Sequence, residues 1–190
     1  MKPTVDPSVS LLAKLRNLAK AQGLPSGSML LLYTQQGLLA RLDASSYAEH
    51  FVVKGGLSLF ARYHTAARPT QDLDLAASGF PNTLLAVREA LIEILGQPFP
   101  DGLTFDIAAV TVREMQIESQ YSGVAASVTA VVGRAKQVLP LDISFGNVIT
   151  PAPVQLSFPQ LLLPEAVSVR VYPLETVIAE KFAALLELGL

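Results

Sequence analysis

The eight residues Arg68-Pro-Thr-Gln-Asp-Leu-Asp-Leu75 constrain the fold more tightly than any other stretch of this chain. Pro69 favours an extended conformation at Arg68, and polar and apolar side chains then alternate. In a strand, side chains two residues apart share a face. Arg68, Thr70, Asp72 and Asp74 are therefore predicted on one side, with Leu73 and Leu75 directed into a core on the other. Aspartate is disfavoured in strands, and two carboxylates so placed repel unless a cation lies between them. Magnesium takes hard oxygen ligands and keeps positions open for phosphate oxygens, so it suits such a pair. A solvated strand face is the alternative reading of an isolated Asp-x-Asp pattern.

The flanking segments call for helices as well as a sheet. Val9, Leu12, Leu15, Leu18 and Ala19 recur at helical spacing, and Gly23-Leu-Pro-Ser-Gly27 interrupts them before a second helix predicted over Ser28–Leu42. A short apolar stretch, Phe51-Val-Val53, leads to a helix over Leu57–Tyr63 and a strand over Thr70–Ala76. Asn82–Leu95 is amphipathic, with Pro81 before it and Gly96 after it. From Thr104 to Phe145 the pattern is that of strands; Thr150 to Pro164 is a Pro-rich loop with irregular strands; Val167–Val171 is a strand; and Pro173 opens a last helix to Leu188. This order predicts an α+β fold, a mixed sheet flanked by helices. Residues 1–49 are expected to form an N-terminal helical segment packed on a core of residues 50–190.

Composition narrows the function. With 190 residues, 51% hydrophobic and 16% charged, the chain can bury a sizeable core. It has no cysteine, which excludes disulfides, cysteine-ligated zinc and thiol chemistry. No apolar run has membrane-spanning length and no secretory signal pattern opens the chain, so a cytoplasmic location without membrane contact is expected. A net charge of −2 provides no general basic surface, so any nucleic acid must be held by a local patch.

Three further features carry chemistry. Asp142 in Leu139-Pro-Leu-Asp-Ile-Ser-Phe145 and Asp106 in Thr104-Phe-Asp-Ile107 are rival third carboxylates, each on an alternating stretch. Lys54-Gly55-Gly56 stands at a strand-to-helix junction, where glycine lets the backbone approach a ligand and free N–H groups suit a phosphate. In the last helix, Lys181 falls within a stripe formed by Leu174, Val177, Ile178, Leu185 and Leu188. A lysine there either snorkels to solvent or reaches into a cleft to hold a triphosphate. His50 and His64 lack metal-ligand spacing, and neither a Ser-His-Asp set nor a P-loop is present.

Taken in order, Phe51-Val-Val-Lys-Gly-Gly-Leu57, Arg68-Pro-Thr-Gln-Asp-Leu-Asp-Leu75, Leu141-Asp-Ile-Ser-Phe-Gly146 and Tyr172-Pro-Leu-Glu-Thr-Val-Ile-Ala-Glu-Lys-Phe182 resemble the AbiEii/AbiGii toxin family. That family comprises nucleotidyltransferase-like toxins of toxin–antitoxin and abortive-infection systems, related to the MenT toxins. The resemblance implies a DNA-polymerase-beta-like nucleotidyltransferase core. It assigns magnesium to Asp72 and Asp74 with Asp142 as the third carboxylate. It gives the phosphate and nucleotide contacts to Gly55, Gly56 and Lys181; Lys54 beside those glycines, and Arg68 and Thr70 on the aspartates' strand face, are the further candidates for nucleotide contact. Leu57 stands where many members of the wider superfamily carry serine after glycine. A nucleoside triphosphate substrate, a tRNA 3′ end as acceptor and a cognate antitoxin are implied partners. Family members usually continue beyond the lysine helix into a further Lys-Asp motif, so a chain truncated at its C-terminus is expected. The alternatives are a small-molecule nucleotidyltransferase of the antibiotic type, which the acidic balance suits, and an inactive remnant that only binds nucleotide or antitoxin.

Overall fold

The computed structural model describes residues 6–63, 70–115, 123–158 and 160–187. Helix α1 (Pro7–Ala21) starts at Asp6, whose carboxylate accepts the Ser8 backbone N–H at 2.9 Å. It buries Leu15 and Ala19, whereas Val9, predicted on the same stripe, is exposed. Helix α2 (Ser26–Asp43) is buried along almost all of its length from Met29 onward, polar residues included. Such a helix must satisfy its polar side chains internally. Arg41 does so through a bidentate pair with Asp101 at 2.7 and 3.1 Å, and donates further to the Gly37 and Leu103 carbonyls. Its guanidinium carbon also lies 5.0 Å from the Phe105 ring centroid.

The sheet is built from β1 (Phe51–Val53), β2 (Leu73–Ala77), β3 (Thr104–Phe105), β4 (Thr111–Met115), β5 (Gly123–Val132), β6 (Ala135–Phe145), β7 (Val154–Phe158) and β8 (Val167–Val171). Their order is β3-β5-β6-β2-β1-β8-β7, with β4 also paired to β5. It is mixed: β2 runs parallel to β6 and β1 parallel to β8, and the other pairs are antiparallel. Helices α3 (Gly55–Tyr63) and α4 (Leu84–Gly96) separate the early strands, and α5 (Leu174–Glu187) closes the described chain. Val53, Leu73, Leu75, Leu141 and Ile143 share one large apolar cluster with residues of α1, α2 and α4. On the other face, Val52 and Ala76 form a small cluster with Tyr172 and Val177. This is the α+β arrangement of a mixed sheet flanked by helices.

Several local expectations change. The strand predicted from Thr70 begins only at Leu73, because Gln71 and Asp72 lie in a bend. Helix α3 starts two residues early, at Gly55, and α4 is capped by the Thr83 hydroxyl, which accepts from the Ala86 N–H. Ile107 enters a 3-10 turn, Ile107–Ala109, rather than a strand. The Pro-rich stretch contains a regular strand, β7. In α5 the predicted stripe is buried only in part: Val177 faces inward, together with Thr176, whereas Ile178 is 66% and Leu185 48% exposed, and Leu188 lies outside the described residues. Among the described residues, no helix is long and apolar enough to cross a membrane.

Removing one member of a buried ion pair leaves the other uncompensated, at a cost of about 3–5 kcal/mol. Asp101→Ala is therefore expected to lower the unfolding free energy in urea by that amount. Arg41→Met combined with Asp101→Leu should recover most of the loss.

Candidate active site

The site begins with a strand register. Asp74 on β2 lies directly opposite Asp142 on the parallel strand β6, between the pairs Leu73–Leu141 and Leu75–Ile143. Directly paired residues present their side chains on the same sheet face. The leucines and Ile143 therefore enter the core, and both aspartates point away from it. Asp72 joins them from the bend before β2. One carboxylate oxygen from each of Asp72, Asp74 and Asp142 lies within 4.8 Å of the others, and all three residues are half-buried. Around octahedral magnesium, adjacent oxygens lie about 2.9 Å apart and opposite ones about 4.2 Å, so the three carboxylates supply the hard donor set such a cation takes and would draw together around it.

Asp106 does not join the cluster. Its carboxylate accepts the Ala109 N–H at 3.3 Å and caps the 3-10 turn. The two rival carboxylates thus separate cleanly: Asp142 lies beside the Asp72–Asp74 pair and Asp106 is a cap.

Neighbouring residues hold the acids in place. The Thr70 hydroxyl donates to Asp72 Oδ1 at 2.7 Å. Gly55, at φ 60°, opens α3 directly against Asp74, and a Cβ there would collide with the Asp74 carboxylate. A Cβ on Gly56 would approach the Thr70 Cβ to 3.1 Å. These glycines are thus explained first by close packing against the acidic cluster. The Lys54 N–H also bonds the Asp74 carbonyl at 2.9 Å. Burial raises the Asp74 pKa above its ordinary 3.8; Asp72 adds to the rise, Lys54 opposes it, and Asp142 and Lys181 have smaller effects of opposite sign.

Lys54, Gly55 and Asp74 line an open pocket whose far wall is Tyr172, Val177, Glu180, Lys181 and Ala184. Lys181 is exposed and reaches this pocket from the solvent side of α5, not from a buried stripe. Arg68 lies outside the described residues. Sequence reasoning missed Tyr172, fully buried in the pocket wall, and Arg62, which donates to the Tyr172 carbonyl. It also missed Ser58, whose buried hydroxyl donates to the Gly55 carbonyl at 2.8 Å. The Arg62–Tyr172 contact joins distant parts of the chain and leaves no local pattern, and the Ser58 bond lies within the first turn of α3, where a serine carries no distinguishing signal.

Two solved structures are similar to this chain. One, described as a "putative nucleotidyltransferase from H. pylori", aligns with a TM-score of 0.50 at 17% identity, over 83% of this chain and 59% of its own. JHP933 from Helicobacter pylori aligns with a TM-score of 0.48 at 16% identity, over 81% of this chain and 55% of that one. This chain therefore spans little more than half the length of either. No curated protein matches it in sequence. Residues 37–189 match the family model for "Nucleotidyl transferase AbiEii toxin, Type IV TA system", and the chain belongs to that AbiEii family.

The raised Asp74 pKa fixes the sign of a pH effect. A buried carboxylate with a raised pKa costs stability at neutral pH, and the cost fades as pH falls through the raised value toward 3.8. In EDTA at pH 7, Asp74→Asn is expected to melt higher than the parent by differential scanning fluorimetry, with the gap closing on acidification. Magnesium at ten times its Kd should stabilise the parent by about 1.4 kcal/mol and leave Asp74→Asn nearly unchanged.

Proposed function

We propose that this chain is a magnesium-dependent nucleotidyltransferase toxin with a DNA-polymerase-beta-like core. It transfers a nucleotide from a nucleoside triphosphate to the 3′ hydroxyl of an RNA such as tRNA. Residues 50–190 form the core and residues 1–49 a helical segment packed on it; the protein acts in the cytoplasm and is held in check by an antitoxin. The observation that carries this reading is the convergence of Asp72, Asp74 and Asp142 beside the Lys54–Gly55 turn.

In this reading Asp72, Asp74 and Asp142 would hold the divalent cation. A cation there supplies charge neutralisation for the phosphates and acidifies the attacking hydroxyl. Lys54 and Lys181 flank the pocket and balance triphosphate charge as point cations. The Gly55 and Gly56 amides, at the start of α3, face the same anion, and Arg68 and Thr70 complete the substrate side. Asp142 accepts the proton of the acceptor hydroxyl. The oxygen of that hydroxyl attacks the α-phosphorus in line, the bond from the α-phosphorus to the α–β bridging oxygen breaks, and pyrophosphate leaves. Positioning and electrostatics supply most of the acceleration.

An RNA acceptor draws support from the register on the far side of Asp142. Asp142 pairs with Ala125 of β5, and Ala125 pairs with Arg113 of β4. Arg113, which is exposed, therefore shares the carboxylates' sheet face, two strands or about 10 Å from Asp142. Exposed Lys136 lies on the same face farther along β6. Such a pair of cations suits a phosphate backbone whose end lies at Asp142. A small-molecule acceptor is the second reading, favoured by the net charge of −2.

Incubation with labelled nucleoside triphosphates, magnesium and total RNA tests the proposal. Label is expected in RNA, with Asp72→Ala and Asp142→Ala reduced at least about 100-fold and Lys181→Ala raising the KM for the triphosphate about tenfold. Label confined to small molecules would select the second reading. Absence of transfer, or an Asp72→Ala rate equal to the parent's, would sink the enzyme assignment.

A further inference from the structure

The acidic cluster has a support that comes from outside the sheet. Asp72 lies in a bend rather than a strand, so no strand ladder fixes its backbone. Side chains replace the ladder. The Thr70 hydroxyl donates to Asp72 Oδ1 at 2.7 Å and, more loosely, lies 3.3 Å from the Asp72 carbonyl. From outside the segment comes the side chain of Gln35 on α2, whose Nε2 donates to the Asp72 carbonyl at 3.1 Å and, more weakly, to the Thr70 carbonyl at 3.4 Å. Gln35 is 1% exposed. Its amide nitrogen thus bridges the carbonyls on either side of Gln71. A buried amide reaching two backbone carbonyls belongs to a tightly specified network, because an unsatisfied buried polar group is costly.

We propose that Gln35 is a positioning residue of the cation site: from the buried helix α2 it locks the Thr70–Asp72 bend so that the Asp72 carboxylate faces Asp74 and Asp142. This rests on the reading of those three aspartates as cation ligands. Gln35 touches neither cation nor substrate and acts through Asp72. It also precedes the stretch matched by the family model, which begins at residue 37. The sequence signal is hidden, since Gln35 sits inside an otherwise ordinary buried helical run.

The same helix provides a matched control. Gln36 is equally buried, at 1%, and its Oε1 accepts the Leu161 N–H at 3.0 Å, a contact with the segment before β8 rather than with the Thr70–Asp72 bend. Gln35→Met and Gln36→Met each replace a buried amide with an apolar chain of similar length, so both are expected to lower the melting temperature. They differ in which contact they remove.

The test is a titration of full-length parent, Gln35→Met and Gln36→Met with Mn2+, monitored by the free-ion electron paramagnetic resonance signal, beside melting curves in EDTA. The expected result is a Kd about tenfold weaker in Gln35→Met, with Gln36→Met at the parent's affinity despite a comparable loss of melting temperature. Equal affinity in parent and Gln35→Met, or equal weakening in both variants, would overturn the positioning role and leave the cation site standing. Absence of Mn2+ binding by the parent would overturn the cation-site reading and this inference with it. If Gln35→Met does not fold, Gln35→Glu serves: its carboxylate faces the same carbonyls without N–H donors. It is expected to weaken Mn2+ similarly, and unchanged affinity there would contradict the proposal.

Discussion

The parallel pairing of β2 with β6 sets one acidic side chain beside another, and the local arrangement is organised around that contact. Asp74 and Asp142 are register partners, and the leucine pair before them and the Leu75–Ile143 pair after them are buried in the core. A slip of β2 by one residue would put Asp74 into the apolar layer and Leu73 and Leu75 into solvent. The hydrophobic effect that fixes the sheet thus also fixes the carboxylates. Their mutual repulsion and partial burial, expressed in the raised pKa of Asp74, are borne by the rest of the fold.

That burden explains the residues around the cluster. Gly55 is needed because the Asp74 carboxylate occupies the space of a side chain and the backbone there takes a left-handed conformation. Thr70 bonds Asp72, and Lys54 brings positive charge to Asp74. Behind the sheet, α2 is buried on all sides and carries polar groups that reach outward from the core. Arg41 ties down the loop around Asp101, and Gln35 reaches the bend before β2. The N-terminal helices are therefore joined to the acidic side of the molecule by directional bonds as well as by apolar packing.

Much of this was legible in the sequence, for identifiable reasons. Period-two alternation around Leu73–Leu75 and Leu139–Phe145 marked two half-buried strands and the faces of their aspartates. Gly-Gly before a helix marked a close backbone approach. Strand pairing was not legible: Asp106 and Asp142 had similar local patterns, and only the β2–β6 register and the 3-10 cap distinguish them. The stripe in α5 misled because apolar periodicity does not specify what it packs against; Ile178 and Leu185 are exposed and Lys181 approaches the pocket from outside. Asp72 reached its neighbours through a bend, not the extended geometry that alternation predicts. The contributions of Gln35 and Tyr172 are tertiary and leave no periodic trace.

In the proposed mechanism Asp72, Asp74 and Asp142 together hold a divalent cation. Anomalous diffraction from crystals grown with Mn2+ and a non-hydrolysable nucleoside triphosphate would reveal it. An anomalous peak is expected about 2.2 Å from a carboxylate oxygen of each aspartate, with the triphosphate lying toward Lys54 and Lys181. A bound triphosphate with no anomalous peak among the three carboxylates, or with Mn2+ held elsewhere, would contradict it.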